Sequence, residues 1–285
     1  MGTYGLNTKV KVGGIWTDAK PHVKVSGTWK KVKIAYSKVG GSWQKTYEYE
    51  WVYTFSAGEH TDVDIDTLAG IDKYYNVRVV IPSNATLVAS STNAYALKTG
   101  SGYSGTLTIV NNGSILGRGG NGGGGGSGYS YNEVHGPSNG TAGGYAMYVE
   151  SPFTLNNTGT LAGGGGGGSG GNGAVKVGTG YYAGGGGGGG RPYGLAGTSP
   201  RYTGGTFFYG SDGNAGTLLA HGGGGAGGSG AGGYAGGGGY GGIPGTAGGD
   251  SNQGGGSISF DSVDGYGGAS GATYHNPSNF TITTI

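Results

Sequence analysis

Contiguous glycine is the feature that most restricts what this chain can fold into. Uninterrupted runs occupy 122–126, 163–168, 184–190, 222–225 and 236–239. Of 77 glycines, 13 precede residue 117 and 64 lie within 117–275. Glycine loses more backbone freedom on folding than any other residue, about 0.5–1 kcal/mol against alanine inside regular structure. A stretch this rich is either flexible linker or an architecture that only bare backbone can build.

The linker reading conflicts with the sequence. Serine is sparse within the runs, which are short and punctuated by Leu116, Leu161, Val175, Leu218, Leu219, Ile243, Ile258 and Phe260. The same stretch carries 13 of the 22 tyrosines, a load foreign to solvating tails. Collagen requires glycine at every third residue with abundant proline, whereas here the glycines are contiguous and the prolines number eight. Ordinary strands also fail, because glycine has no side chain to pack. What remains is the extended left-handed helix with three residues per turn. It makes no internal hydrogen bonds, so each buried N–H and C=O must pair with a neighbouring helix. The expected product is a lattice of polyglycine II helices. An Ala, Ser or Asn within a run should mark the lattice edge.

Residues 1–50 differ. Nine lysines stand against Asp18, Glu48 and Glu50, a local charge of +6. The lysines belong to a threefold repeat, VKVGGIW (10–16), VKVSGTW (23–29) and SKVGGSW (37–43). Alternating Val and Lys before a glycine turn predicts strands with one buried and one solvated face. The charge is then a solvated strand face rather than a nucleic-acid contact. Trp16, Trp29 and Trp43 are the expected anchors of this small all-β module, which could dock on a partner.

Residues 51–116 read as conventional β structure, with YYNVRVVI (74–81), a short branched stretch at 86–89 and TLTIV (106–110) leading into the turn signal Asn111-Asn112-Gly113. No helix of useful length is expected. TLTIVNNGSILGRGGNGG (106–123) is repeated as FTLNNTGTLAGGGGGGSGG (153–171), and NPSNFTITTI (276–285) echoes the strand alone. The chain therefore returns repeatedly to one end, where apolar strands gather, and leaves it along glycine helices. The fold class follows: an all-β N-terminal region, then a sandwich of polyglycine II helices, with essentially no α-helix. The expected divisions are 1–50, 51–116 and 117–285.

The aromatic inserts between glycine runs are the candidate recognition loops. They comprise 129–139, with Tyr129, Tyr131 and His135, and 191–216, with Tyr193, Arg201, Tyr202, Phe207, Phe208, Tyr209 and Asp212. Tyr240 and Tyr266 belong to later stretches. Tyrosine among Ser, Gly and Asn gives broad rigid contact at low entropy cost. Tyr145 and Tyr234, inside runs, are expected to plug seams of the lattice.

ILGRGGNGGGGG (115–126), NNTGTLAGGGGGG (156–168) and YYAGGGGGGG (181–190) alternate with variable aromatic segments. In this the chain resembles the receptor-binding adhesins at the tips of T-even-like bacteriophage long tail fibres, and glycine-rich phage tail-fibre proteins more broadly. The resemblance spans roughly 105–285. It implies a polyglycine-helix sandwich whose loops bind an outer-membrane protein or lipopolysaccharide, and a place in the virion, at the fibre tip. The lysine-rich Trp repeats depart from that family and look like modules of other phage structural proteins.

Signals for catalysis are weak. GGSGG (167–171) satisfies G-x-S-x-G without a strand–turn–helix context. Asp62, Asp64 and Asp66 alternate along a stretch that reads as a solvated strand face. His22, His60, His135, His221 and His275 lack metal-site spacing. No enzyme activity, metal, cofactor or nucleic-acid partner is expected. There is no cysteine, and no signal peptide or apolar run of membrane length, which fits a virion protein assembled in the bacterial cytoplasm. A structural virion protein, such as a capsid decoration or fibre-shaft component, is the competing reading.

Overall fold

The computed structural model describes residues 9–18, 21–130, 133–176, 180–201, 206–230, 233–252 and 265–285. Tyr131 and Tyr202 lie outside them, as do Ile258 and Phe260.

Three two-stranded ribbons come first: β1 (Lys9–Val12) with β2 (Ile15–Asp18), β3 (His22–Val25) with β4 (Thr28–Lys31), and β5 (Ile34–Val39) with β6 (Ser42–Glu48). Each closes through a two-residue turn with positive φ at both positions, for example 56° at Gly40 and 86° at Gly41. That geometry matches the twist of paired strands. The expected buried face is absent: every residue of β3 and β4 is exposed. Among the described residues the ribbons share no ladder, so alternation in the second produces two open faces, while the third buries Tyr47 where it meets the next element.

Next comes a triangular β-helix. Its first coil is β7 (Glu50–Thr54), β8 (Gly58–Thr61) and β9 (Val63–Asp64), and a single 3-10 turn follows at Ile65–Thr67. The second is β10 (Asn76–Ile81), β11 (Ala85–Val88) and β12 (Leu97–Lys98). The third opens with β13 (Leu107–Asn111) and β14 (Ser114–Leu116). The chain then leaves through glycine and the hairpin β15 (Ser127–Ser130) and β16 (Glu133–His135), and returns at β17 (Met147–Tyr148). The fourth coil, β18 (Phe153–Asn157) and β19 (Thr160–Ala162), makes a longer excursion. That excursion contains β20 (Ala174–Lys176), β21 (Gly180–Tyr182), β22 (Phe207–Phe208), β23 (Ser229–Gly230) and β24 (Gly233–Tyr234). It closes at β25 (Tyr274–His275), and β26 (Ile282–Thr284) begins a fifth coil.

Parallel pairing stacks like strands into three sheets, β7-β10-β13-β18-β26, β8-β11-β14-β19 and β9-β12-β17-β25. Inward positions align in columns: Val77, Leu107 and Phe153; Val79, Ile109 and Leu155; Leu97 and Met147. All of these are buried. Each side chain contributes about 1.5–3 kcal/mol by leaving water. The Asn-Asn-Gly signal forms a corner rather than a hairpin. There Asn111 Nδ2 donates to Asn157 Oδ1 (2.7 Å) one coil above, and a Cβ on Gly113 would lie 2.2 Å from the Ala85 carbonyl. The β body is therefore not confined to 51–116, since it takes strands from both sides of each glycine excursion.

The excursions form the lattice. In run 163–171 every third amide donates to the same neighbour: Gly164, Gly167 and Gly170 to Gly144, Thr141 and Ser138, and Gly165, Gly168 and Gly171 to Arg191, Gly188 and Gly185. A repeat of three is that of the three-residue-per-turn helix. Among the described residues, runs 163–171 and 184–191 are each bonded to six other segments. The bonds order ten segments into three rows: 137–145, 117–126 and 192–200; then 265–272, 163–171, 184–191 and 210–217; then 246–252, 235–243 and 222–228. Bare backbone permits this because contact occurs on every side. The edge expectation holds at Asn121, Ala142, Ala226 and Ala247, which are exposed. It fails at Ser169 and Asn172, which are buried within the central run. Ser169, the centre of the G-x-S-x-G match, thus lies inside the lattice.

Candidate recognition surface

Connectivity assigns each aromatic insert to one of two ends. Runs starting at 117 and 163 leave the β-helix directly, and runs ending at 145 and 272 re-enter it. Ten residues of such a helix span about 30 Å. Among the described residues, the far end therefore carries 127–130 and 133–135, 174–176 and 180–182, Arg201 with 206–209, and 229–230 with 233–234. The near end carries the turns at 191–194, 217–221 and 243–246.

At the far end β20, β21 and β22 form a small sheet. Its two faces differ. On one, Tyr182 is buried and stacks on Phe208 at 4.9 Å, while its hydroxyl donates to the Gly230 carbonyl at 2.7 Å. These contacts fasten three of the outer loops together. On the other face Tyr181 stacks on Phe207 (5.0 Å), Phe207 lies 6.2 Å from Tyr209, and the exposed Arg201 guanidinium sits 5.7 Å from the Tyr209 ring. Arg201 also approaches Asp212, 3.9 Å away. The result is an aromatic stripe ending in a cation, and Tyr209 is 44% exposed. Aromatic rings fixed by stacking lose little entropy on meeting a ligand.

The other candidates fall as follows. Tyr129 lies in β15 and His135, exposed, ends β16, both at the far end. Tyr266 is exposed on the lattice flank, its N–H donating to Asn139 Oδ1 at 2.8 Å. Tyr193 and Tyr240 are not at the far end. Tyr193 sits in a near-end turn with φ of 59°, its hydroxyl donating to Glu59 of β8 and its ring under Arg118. That hydrogen bond, then burial, holds the Tyr193 phenol above its ordinary pKa. Tyr193 therefore clasps the lattice to the β-helix. Tyr240 is exposed beside His221, 6.3 Å away. Neither expected seam residue plugs the lattice: Tyr145, 38% exposed, packs against Tyr95 and His275 of the β-helix, and Tyr234 is 54% exposed in a far-end hairpin. Tyr181, Tyr182 and Tyr234 were not among the recognition candidates. No sequence signal marks them, because the end that each run reaches is fixed only in the folded lattice.

The aspartates share no strand face. Asp62 accepts from Ser90, Asp64 caps the 3-10 turn, and Asp66 pairs with Lys73 at 2.6 Å. Among the described residues no cluster of His, Asp or Glu could hold a metal ion, and no helix is long and apolar enough to cross a membrane.

Trp16, Trp29 and Trp43 occupy equivalent positions in β2, β4 and β6, opposite Lys11, Lys24 and Lys38. Trp29 and Trp43 are exposed.

Residues 50–285 match the sequence model of the family described as phage tail fibre adhesin Gp38. The chain belongs to that family. The adhesin is also similar to a solved structure, the gp37-gp38 adhesin tip complex of the bacteriophage S16 long tail fibre. Identity is 26% with a TM-score of 0.52, over 84% of this chain and 79% of that one. No curated protein matches it. The ribbons lie outside the adhesin family match, which begins at residue 50.

Proposed function

We propose that this adhesin recognises its host through the far-end stripe of Tyr181, Phe207, Tyr209 and Arg201, and that the receptor is an outer-membrane protein or lipopolysaccharide. The adhesin is virion-associated by family, and the proposal places it at the fibre tip after assembly in the bacterial cytoplasm. It acts by binding, without catalysis. The carrying observation is a stripe with Tyr209 and Arg201 exposed and Tyr181 and Phe207 half-buried beside them, at the end of a lattice too tightly bonded to yield. Preorganisation of this kind lowers the entropy cost of association. Residues 1–50, with Trp16, Trp29 and Trp43, attach the adhesin to a phage fibre or tail protein. The solved relative, a gp37-gp38 complex, supports a fibre protein as partner.

Phe207→Ala with Tyr209→Ala should reduce adsorption of purified adhesin to host cells by about tenfold or more, on the scale of interface hot spots. Tyr240→Ala serves as the exposed aromatic control and should leave adsorption unchanged. Unaltered adsorption of the double variant, with particles becoming fragile, would replace this reading with a purely structural role.

A further inference from the structure

The second ribbon and the turn-proximal half of the third leave both faces open to water. In the second, Val23 and Val25 are exposed on one face and Trp29, 66% exposed, on the other; in the third, Val39 and Trp43 (70%) stand likewise. An isolated two-stranded ribbon is marginal in water, so such a surface calls for a cover. The three ribbons also repeat one arrangement. One step beyond the turn-closing pair, Lys faces Trp across the strands: Lys11 and Trp16, Lys24 and Trp29, Lys38 and Trp43. In a ribbon with a two-residue turn this is a non-hydrogen-bonded pair, where cross-strand side chains lie nearest. Nine lysines against three carboxylates in residues 1–50 oppose pairing between copies of this chain and set the sign of the partner.

We infer that the ribbons are a tandem clasp for an acidic protein surface of the fibre, one that offers the same site repeatedly. Each site is an apolar slot for tryptophan beside a carboxylate for the lysine opposite. The inference rests on the attachment reading above and gives it a chemistry. A protein fits better than a glycan, because covering both faces of a ribbon requires a partner that closes on two sides. Repetition points the same way. Equal weak sites in one chain reinforce one another through effective concentration only where the partner offers as many.

The test uses phage particles lacking the adhesin, to which purified full-length chain is added and the retained amount measured. Trp16→Ala, Trp29→Ala and Trp43→Ala should each weaken retention by a similar factor, about thirty-fold on the hot-spot scale, and pairs should weaken it further. Retention should fall with added NaCl, and Lys11→Glu, Lys24→Glu and Lys38→Glu combined should abolish it. Adsorption of each free variant to cells reports that the remainder has folded. One tryptophan carrying all the loss would overturn the repeated site, and indifference to lysine reversal would overturn the acidic partner. Undiminished retention of a chain lacking residues 1–48 would instead remove the attachment reading itself.

Discussion

At the scale of the residue, the lattice converts a missing Cβ into a structural requirement, and the requirement varies sharply by position. A Cβ on Gly187 would stand 2.2 Å from the Gly168 carbonyl oxygen and 2.6 Å from that of Ser169. Neither neighbour can withdraw, because both are backbone held by lateral bonds. On Gly223 the nearest atom would be Asn214 Nδ2 at 3.6 Å, an ordinary contact. Gly187→Ala should therefore destabilise by at least the upper end of the overpacking range, about 3 kcal/mol. Gly223→Ala should be neutral or stabilising by about 0.4–1 kcal/mol through the unfolded chain. Thermal melting of the two variants checks the contrast, and equal losses would contradict it. Sequence composition could not separate these positions, because both sit inside uninterrupted runs.

At the scale of the element, a glycine helix is stable only as a member of a set. Run 163–171 makes no bonds within itself and spends its amides on carbonyls drawn from 138 to 249. Such a segment cannot open alone without orphaning partners on several sides. Amide exchange across 164–171 and 184–191 should consequently be slow and share one free energy, like a single cooperative unit. Rates at random-coil level there would mean that the lateral bonds do not persist. The strands follow the opposite logic. Leu107, Ile109 and Asn111 alternate inward with fixed side chains, so the short apolar strands were legible from sequence. Their parallel pairing was not. The Asn-Asn-Gly signal is equally compatible with a hairpin, and only stacking of Asn111 on Asn157 makes it a corner.

At the scale of the whole molecule, stability rests on two unlike halves. Among the described residues the main apolar cluster takes nothing from 163–272, where hydrogen bonding does the work that burial does elsewhere. Titration should tell the halves apart. Burial is the first cause holding Tyr47, Tyr49, Tyr75, Tyr95, Tyr103 and Tyr274 above the ordinary phenol value, and all belong to the β-helix or its approach. A raised pKa means that the folded state keeps a proton the unfolded chain releases. The associated stability is full below about pH 10 and is lost as pH rises beyond it. Melting temperature should hold steady from about pH 7 to 9 and fall above 10, and Tyr103→Phe should soften that fall. A melting temperature flat to about pH 12 would show that these phenols are not held as described.

The sequence by itself determined that glycine must form laterally bonded extended helices, that apolar strands must gather at one end, and that aromatic loops must interrupt the runs. These follow from local chemistry: backbone without side chains, alternation, and turn residues. Tertiary structure alone decided which loop reaches which end. Tyr193 and Tyr209 lie in one insert of similar composition, yet one fastens the lattice to β8 and the other faces outward. Direction of travel along a helix with no side-chain polarity leaves no mark in sequence. It is fixed only when each run finds its neighbours and the count of turns from the β-helix is complete.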